Sequence, residues 1–394
     1  MRLPDAQSPG SFLSGYWQKS PLFMPGALGG GLPTLDPGEL AWLATQEDVE
    51  SRLIHTAHRD GTAGYTVSHG PFDAQSLSSL PQRDWTLLVH DVDKHLPDFR
   101  AWFAAIDFIP DWRIDDLMVS YAAPGGSAGP HLDNYDVFLC QGQGRREWRI
   151  GNREDCAVAN ESAELSLLEP FDDDDPRIAG KGDVLYLPPG IPHWGIARDE
   201  CLTYSIGMRA PRLGELVAAA GGQSGTANGA GKKQATVDTE AFYEDPDLSI
   251  DEAEPGLIAD PAIRRARRML SATGIRDDRQ VAFALGSVAT EPKAWLEPER
   301  QSADDADAFL DAVAGDAELR VHGMARIAWA RAGATTMIFA NGRGSEVPAA
   351  WLECFRALCR ERRLSTARIR EHGDDDLLRL LLTGGVIDLT EWSR

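Results

Sequence analysis

Short runs in which apolar and polar residues alternate occupy the first half of the chain. They are residues 117–122 (LMVSYA), 135–140 (YDVFLC), 146–150 (REWRI), 183–188 (DVLYLP) and 202–208 (LTYSIGM), and Gly, Pro or Asp separates them. A period of two is typical of strands, and several short strands in succession predict a barrel or a sandwich. Ahead of them, residues 12–27 predict a short helix that runs into a strand, with Pro21 at the join.

Helical periodicity replaces this pattern in the second half. Residues 260–270 (DPAIRRARRML) predict a helix that Asp260 can cap and whose face carries Ile263, Ala266 and Leu270. Further segments predict helices at 279–285, 306–313, 349–361 and 374–385, and strands at 325–330 and 335–340. Helices around a small hairpin indicate a winged-helix-like module. No basic stripe stands out in it, so we expect no direct DNA binding.

A Gly-rich segment separates the two halves. Residues 218–233 (AAAGGQSGTANGAGKK) offer almost nothing to bury, which is typical of a linker. The length of 394 residues exceeds what one core usually holds, so we expect two or three domains.

The net charge of -22 disfavours nucleic acid and favours a basic protein or peptide as partner. The five cysteines form no CxxC pair and are odd in number, which favours reduced, inert thiols. The N-terminus lacks the pattern of a secretory leader, and no run of about 18 apolar residues occurs. We therefore expect a cytoplasmic protein without a membrane segment.

The stretch 129–151 (GPHLDNYDVFLCQGQGRREWRIG) combines a predicted β-hairpin with residues that can bind a metal. On a strand, His131 and Asp133 would point to the same face, into the barrel. An imidazole and a carboxylate are two members of the 2-His-1-carboxylate triad that holds Fe(II). For the third we favour His193, which follows a strand and is fixed by Pro188, Pro189 and Pro192.

The basic pair of this stretch differs in the face that each residue occupies. Beyond a turn at 141–144, Arg146 shares a face with Trp148 and Ile150, whereas Arg145 lies on the other face. A buried guanidinium requires an anion, and its planar fork matches a carboxylate. An iron site with a carboxylate co-substrate suggests 2-oxoglutarate, with Arg146 holding its distal carboxylate. Ser120, on the face of Met118 and Ala122, could donate to the same carboxylate.

Plainer interpretations stay open. The hairpin could hold a structural salt bridge, and His90, Asp91 and Asp93 form a second group with metal-binding residue types. A cupin isomerase or dioxygenase without a co-substrate is a further alternative. It ranks lower because cupins use HxH followed shortly by Glu, and Arg146 would then lack an anion.

The stretch 129–151, together with 115–131 (DDLMVSYAAPGGSAGPH), 187–195 (LPPGIPHWG) and the opening 12–27, resembles the bacterial ribosomal oxygenases of the JmjC group, the YcfD-like proteins. The resemblance covers residues 1–211 closely and the rest loosely. It implies an α+β protein: a double-stranded β-helix (jelly-roll, cupin) of JmjC type at 1–215 and a linker at 216–240. A helical dimerisation region at 241–300 and a winged-helix-like domain at 301–394 would follow.

The resemblance also implies an activity. These proteins use Fe(II), 2-oxoglutarate and dioxygen to hydroxylate the β-carbon of an arginine in the sixteenth protein of the large ribosomal subunit. In this chain, His131, Asp133 and His193 would bind iron, and Arg146 and Ser120 would bind 2-oxoglutarate. Asp116 could contact a substrate cation or be a solvated turn residue. A catalytically silent JmjC-like protein that binds ribosomes is the alternative function.

Overall fold

A computed structural model of the protein describes residues 1, 8–59, 62–152, 158–161, 166–169, 171, 175–222, 239–312, 316–372 and 374–388. The chain forms two compact units. The first comprises Met1–Asp107, Ile114–Met208 and Pro246–Leu248, and the second Phe108–Arg113, Arg209–Asp245 and Ser249–Arg394.

The first unit consists mainly of strands. They are β1 (Leu22–Met24), β2 (Ser51–Arg59), β3 (Thr62–His69), β4 (Trp85–Val89), β5 (Ile114–Ala122), β6 (Val137–Gln143), β7 (Arg146–Ile150), β8 (Val158–Glu161), β9 (Ser166–Leu168), β10 (Arg177–Ala179), β11 (Val184–Leu187), β12 (His193–Ala197) and β13 (Cys201–Met208). The α-helices of this unit are α1 (Pro9–Gly15), α2 (Pro37–Leu43), α3 (Ala74–Ser78) and α4 (Val92–His95), and a 3-10 helix spans Pro97–Ile106.

Two sheets of this unit enclose a core. The larger has eight antiparallel strands in the order β1-β11-β6-β13-β5-β4-β2-β3, and the smaller has the order β10-β7-β12. Leu139 of β6 and Leu185 of β11 pack with Trp148 of β7 and Ala179 of β10 in one apolar cluster. The inner faces of the two sheets therefore face each other, and the expected double-stranded β-helix is present.

Strand β5 is buried on both faces. Helices α2 and α4 and the 3-10 helix pack against it, and Leu117 and Val119 are fully buried. Ser120 and Ala122 alternate with these two residues, and Ala122 packs with Ala197 of β12 inside the barrel. Alternation thus assigns Ser120 to the barrel interior, as expected from the sequence.

The turn between β6 and β7 is shorter than the one expected at 141–144. Strand β6 continues to Gln143, and Gly144 turns the chain with φ of +63°. A Cβ atom at Gly144 would lie 2.1 Å from the carbonyl oxygen of Glu200. The positive φ and the lack of space for a Cβ atom therefore both require glycine at this position.

The second unit combines helices with two small sheets. Its helices are α5 (Leu213–Gly222), α6 (Asp260–Leu270), α7 (Asp278–Thr290), α8 (Ala303–Ala312), α9 (Trp351–Glu361), α10 (Thr366–His372) and α11 (Asp375–Thr383). Its strands are β14 (Leu257–Ile258), β15 (Glu318–Val321), β16 (Ile327–Ala332), β17 (Thr335–Ala340), β18 (Arg343–Val347), β19 (Arg363–Ser365) and β20 (Ile387–Asp388). The sheet orders are β14-β16-β17-β18 and β19-β15-β20. The expected helices and the hairpin are therefore present.

Helix α6 differs from the expectation at its N-terminus. Its N-cap is Ala259 and Asp260 is the first helical residue, because Pro261 takes an early position in the first turn. Ile263 and Leu270 are buried in a core that α6 shares with α7, β16 and β17. The apolar face of α6 is therefore covered within the chain.

The predicted linker begins inside a helix. Helix α5 continues through Gly222, so residues 218–222 are helical. The remainder of that segment, 223–238, lies outside the described residues. Boundaries at 215, 240 and 300 stay predictions. None of the helices in the described part of the chain is long and apolar enough to span a bilayer.

Candidate metal centre and co-substrate pocket

The main chains of His131 and His193 pair with each other. The N–H of His131 donates to the carbonyl of His193 at 3.0 Å, and the N–H of His193 donates to the carbonyl of His131 at 2.8 Å. This bridge is isolated, so His131 and Asp133 do not lie on the strand that the sequence suggested. Gly129, with φ of +83°, and Pro130 precede the bridge and favour a bend over a regular strand.

The two imidazole rings lie side by side with their Nδ1 atoms directed at backbone carbonyls. The ring centroids are 4.2 Å apart. His131 Nδ1 lies 2.9 Å from the carbonyl of Gly129, and His193 Nδ1 lies 3.0 Å from the carbonyl of Ile191. Because a carbonyl only accepts, each Nδ1 carries the proton and each Nε2 keeps its lone pair for a metal.

Asp133 completes the group. Its Oδ2 lies 3.7 Å from His193 Nε2, and its own carbonyl accepts from the N–H of Gly190 at 2.7 Å. One ligand atom from each of His131, Asp133 and His193 lies within 4.8 Å of the others, and no other such trio occurs among the described residues. Two nitrogens and one carboxylate oxygen match the donor set that Fe(II) takes in a facial triad.

His193 is prepared to act as a neutral ligand. Its residue surface is 2% exposed, whereas the side chain of Asp133 is 24% exposed. Burial, with a smaller effect from neighbouring His131, lowers the pKa of His193 to about 4, although the charge of Asp133 opposes this. At neutral pH the imidazole therefore needs no deprotonation before it binds a metal.

The second candidate group, at 90–93, is closed by a cation. Lys94 Nζ lies 2.5 Å from Asp91 Oδ1 and 3.7 Å from Asp93 Oδ1. Asp93 also accepts from the N–H of Leu117 at 2.9 Å, and all three charged residues are buried. The buried ammonium pairs with both carboxylates, and this group is therefore an ion-pair cluster.

Arg146 is a buried cation on the inner face of β7. The residue is 5% exposed, and its guanidinium carbon lies 5.7 Å from the ring centroid of Trp148. Its Nη2 lies 3.7 Å from Cys201 Sγ, and its Nε has no hydrogen-bond partner among the described residues. Within the described part of the chain, no carboxylate lies within ion-pair distance of Arg146.

The buried charge on the outer face of β7, unlike that of Arg146, is paired within the protein. Glu147 is also buried, but Arg149 Nε lies 3.0 Å from it and Arg198 pairs with its other oxygen. Arg145 is on that outer face too, with a side chain 63% exposed and an ion pair of 2.8 Å to Asp199. The structure thus separates the two arginines as their alternation implied, and Arg146 alone of them requires an anion from outside the protein.

Trp148 links the metal group to Arg146. Its ring centroid lies 6.0 Å from that of His193 and 5.7 Å from the guanidinium carbon of Arg146. Gly195 of β12 makes this placement possible, because a Cβ atom there would lie 2.5 Å from the indole ring. The two groups therefore share one interior surface formed by β7 and β12.

Comparisons with known proteins identify the family of this chain. A family model described as JmjC domain matches residues 102–216, and one described as ROXA-like winged helix matches residues 273–386. The crystal structure of Escherichia coli ribosomal oxygenase YcfD is 30% identical, with a TM-score of 0.68 over 98% of this chain and 99% of that chain. The chain belongs to the JmjC ribosomal oxygenases.

Curated relatives of this family of oxygenases match over shorter lengths. The ribosomal protein uL16 3-hydroxylase of Escherichia coli (strain K12) is 41% identical over 52% of this chain and 54% of its own length. A probable ribosomal oxygenase of Haemophilus influenzae is 34% identical over 68% of this chain and 64% of its own length. The matched part thus spans somewhat more than half of these relatives. A YcfD structure in complex with cobalt and 2-oxoglutarate has a TM-score of 0.67 at 27% identity, over 98% of this chain and 99% of that chain.

The sequence analysis named only some of the further polar residues of this barrel. Asp116 is buried and lies 3.5 Å from His90 Nδ1. The sequence did not single out Tyr135, two residues after Asp133, although Asp133 raises its pKa well above the ordinary value. Asp136 is structural, because it accepts from Tyr186 Oη at 2.5 Å and from Gln18 Nε2 at 2.8 Å.

Proposed function

We propose that this chain is an Fe(II)- and 2-oxoglutarate-dependent dioxygenase that hydroxylates the β-carbon of an arginine in a large-subunit ribosomal protein. The observation that carries the proposal is Arg146, a buried guanidinium without a carboxylate partner among the described residues. It shares the barrel interior with the group of His131, Asp133 and His193. A cupin without a co-substrate has no use for such a cation.

In this proposal the three side chains hold the metal on one face and leave the remaining positions for 2-oxoglutarate and dioxygen. Bound iron, with dioxygen, supplies the oxidising power, and 2-oxoglutarate is converted to succinate and CO2. The protein binds and orients. The Nε2 atoms of His131 and His193 are directed by their Nδ1 hydrogen bonds, and burial keeps His193 neutral.

Arg146 and Ser120 bind the distal carboxylate of 2-oxoglutarate. Arg146 offers Nε and Nη2, which form one edge of the guanidinium fork and match the two oxygens of a carboxylate. Ser120 is 4% exposed, lies on the inner face of β5, and makes no side-chain hydrogen bond to another described residue. Its hydroxyl is therefore available to the co-substrate.

A basic protein segment suits the mouth of the barrel. Leu132 and Tyr135 are large apolar residues exposed on either side of Asp133, and Asp116 adds negative charge beside Tyr135. The charge of -22 attracts a cationic ribosomal protein over longer range. The Escherichia coli relative is named for the hydroxylation of uL16, which supports the same substrate class here.

The test is direct. Protein loaded with Fe(II) and 2-oxoglutarate is incubated with purified large-subunit ribosomal proteins, and mass spectrometry locates a gain of one oxygen on an arginine. Asp133→Ala is the matched control, and succinate is measured in parallel. Succinate and a modified arginine support the proposal. A protein that binds ribosomal proteins but yields no succinate favours the silent binding protein instead.

Location and self-association are separate parts of the proposal. A ribosomal substrate places the protein in the cytoplasm. The family resemblance implies a homodimer formed through 241–300, where Ile250 and Trp295 are exposed apolar residues. Sedimentation equilibrium tests this, and a mass of one chain at all concentrations would contradict it.

A further inference from the structure

Cys201 is the side chain best placed to change the charge around Arg146. It is the first residue of β13, is fully buried, and packs against Ala122 and Ala197 on the barrel interior. Its Sγ lies 3.7 Å from Arg146 Nη2. Arg146 is itself more than nine-tenths buried and keeps an unpaired Nε directed into the same interior.

The other described cysteines lie in different surroundings. Burial raises the pKa of Cys140 to about 12 and that of Cys354 to about 11, and burial also raises the pKa of Cys359. Those three thiols are held in the unreactive protonated form. The sulfur of Cys201 differs in its contacts, because it accepts a hydrogen bond from the guanidinium of Arg146.

We propose that Cys201 is a peroxide-sensitive modification site, and that its oxidised form occupies the anion position of Arg146 and thereby blocks 2-oxoglutarate. This inference rests on the proposed function, because it takes Arg146 as the residue that binds the co-substrate. It departs from the expectation that all the cysteines of the chain are inert, which stays untested.

The chemistry proceeds in two steps with hydrogen peroxide as the oxidant. The sulfur attacks one peroxide oxygen, the O–O bond breaks, and the second oxygen leaves as water, giving a sulfenic acid. A second peroxide repeats the reaction and gives a sulfinate. Each step removes two electrons from sulfur and reduces one peroxide to water.

The sulfinate imitates the carboxylate that it replaces. It carries one negative charge shared by two oxygens, so both can accept from the edge of the guanidinium that bears Nε and Nη2. Cys201 packs with the small side chains of Ala122 and Ala197 in one buried cluster, and its sulfur lies beside Arg146. An internal anion that is always present competes with a free co-substrate at a large entropic advantage.

The experiment uses the full chain. The protein is treated with hydrogen peroxide in the presence of a chelator, catalase removes the excess, and peptide mass spectrometry measures each cysteine. After addition of Mn(II), calorimetry measures the affinity for 2-oxoglutarate. We expect a gain of about 32 Da on Cys201, two oxygen atoms, with Cys140 unmodified. Affinity for 2-oxoglutarate should fall by at least about tenfold, as for loss of a charge-assisted pair.

Two variants sharpen the test. In Cys201→Ser, the ratio of affinities before and after peroxide should stay close to one, whatever the starting affinity. In Arg146→Met, oxidation of Cys201 should slow, because the sulfur loses its hydrogen bond from the guanidinium and the oxidised product loses its cation. Saturation with Mn(II) and 2-oxoglutarate before peroxide should also protect Cys201.

The outcomes separate the two proposals. If untreated protein does not bind 2-oxoglutarate, the proposed function fails, and mass spectrometry still decides whether Cys201 is modified in an Arg146-dependent way. If untreated protein binds 2-oxoglutarate and Cys201 either stays reduced or is oxidised without loss of affinity, the inference about Cys201 is overturned and the proposed function stands.

Discussion

Arg146→Met should affect the unliganded protein and the co-substrate complex in opposite directions. In the unliganded protein the variant removes a cation that is 5% exposed and has no carboxylate partner in the described part of the chain. Methionine fills a similar volume against Trp148 and Cys201. Replacing a buried charge by an apolar side chain is often stabilising, by about 1–4 kcal/mol. Loss of the contact with the Trp148 ring offsets about 1 kcal/mol of that.

In the complex the same substitution removes the partner of a buried carboxylate. The loss should be about 2–5 kcal/mol, because a charge-assisted contact disappears and the co-substrate keeps an unpaired charge. This corresponds to an affinity for 2-oxoglutarate that is weaker by about 30-fold to several thousand-fold. Metal affinity should change little, since His131, Asp133 and His193 are unaltered.

Two measurements test this pair of effects. Urea unfolding without 2-oxoglutarate gives the free energy of unfolding, and calorimetry with Mn(II) gives the co-substrate affinity. Arg145→Met is the matched control, because Arg145 is exposed and its surface ion pair with Asp199 contributes at most about 1 kcal/mol. The reasoning is refuted if Arg145→Met weakens 2-oxoglutarate binding as much as Arg146→Met. It is equally refuted if Arg146→Met destabilises the unliganded protein by several kcal/mol.

Three further substitutions have expected outcomes. Asp133→Ala should weaken metal binding by more than about 100-fold in a metal titration, because losing a ligand costs more metal affinity than losing an outer-shell partner. The circular dichroism spectrum should stay unchanged. Gly195→Ala places a Cβ atom against Trp148 and should lower the free energy of unfolding by about 1–3 kcal/mol in urea, and an unchanged value would contradict the close contact. Lys94→Met removes the ammonium that pairs with Asp91 and Asp93, while Arg100 remains 3.6 Å from Asp93, and should cost about 3–5 kcal/mol by the same assay. Recovery of that loss on addition of a divalent metal would contradict the assignment of an ion-pair cluster.

Local pattern was sufficient for the parts of the fold that depend on alternation. Residues 117–122, 146–150 and 202–208 lie within β5, β7 and β13, and the period of two assigned Ser120 and Arg146 to the inner faces. These features depend on neighbours within a few residues, which the sequence displays directly. The sequence placed His193 after a strand, whereas the structure has His193 as the first residue of β12.

Features that depend on distant neighbours were missed or misread. The apolar face of α6 showed that Ile263 and Leu270 need cover, but an apolar stripe does not state whether the cover comes from the same chain or from a second copy. The contact of Cys201 with Arg146 joins residues on β13 and β7 and requires the pairing of the sheets to be known. His131 and His193 are joined by a single backbone bridge, for which no periodic signal exists.

The reciprocal backbone bridge between His131 and His193 has a consequence for how this site can diversify. Main-chain atoms hold both positions in register, so the pairing is indifferent to which side chains stand there. An exchange of either imidazole for another ligand type would therefore alter metal preference while the two segments remain joined. The backbone pairing stays fixed while the metal-binding side chains can be exchanged. The chemistry of the site can therefore change one residue at a time without changes in the surrounding sheets.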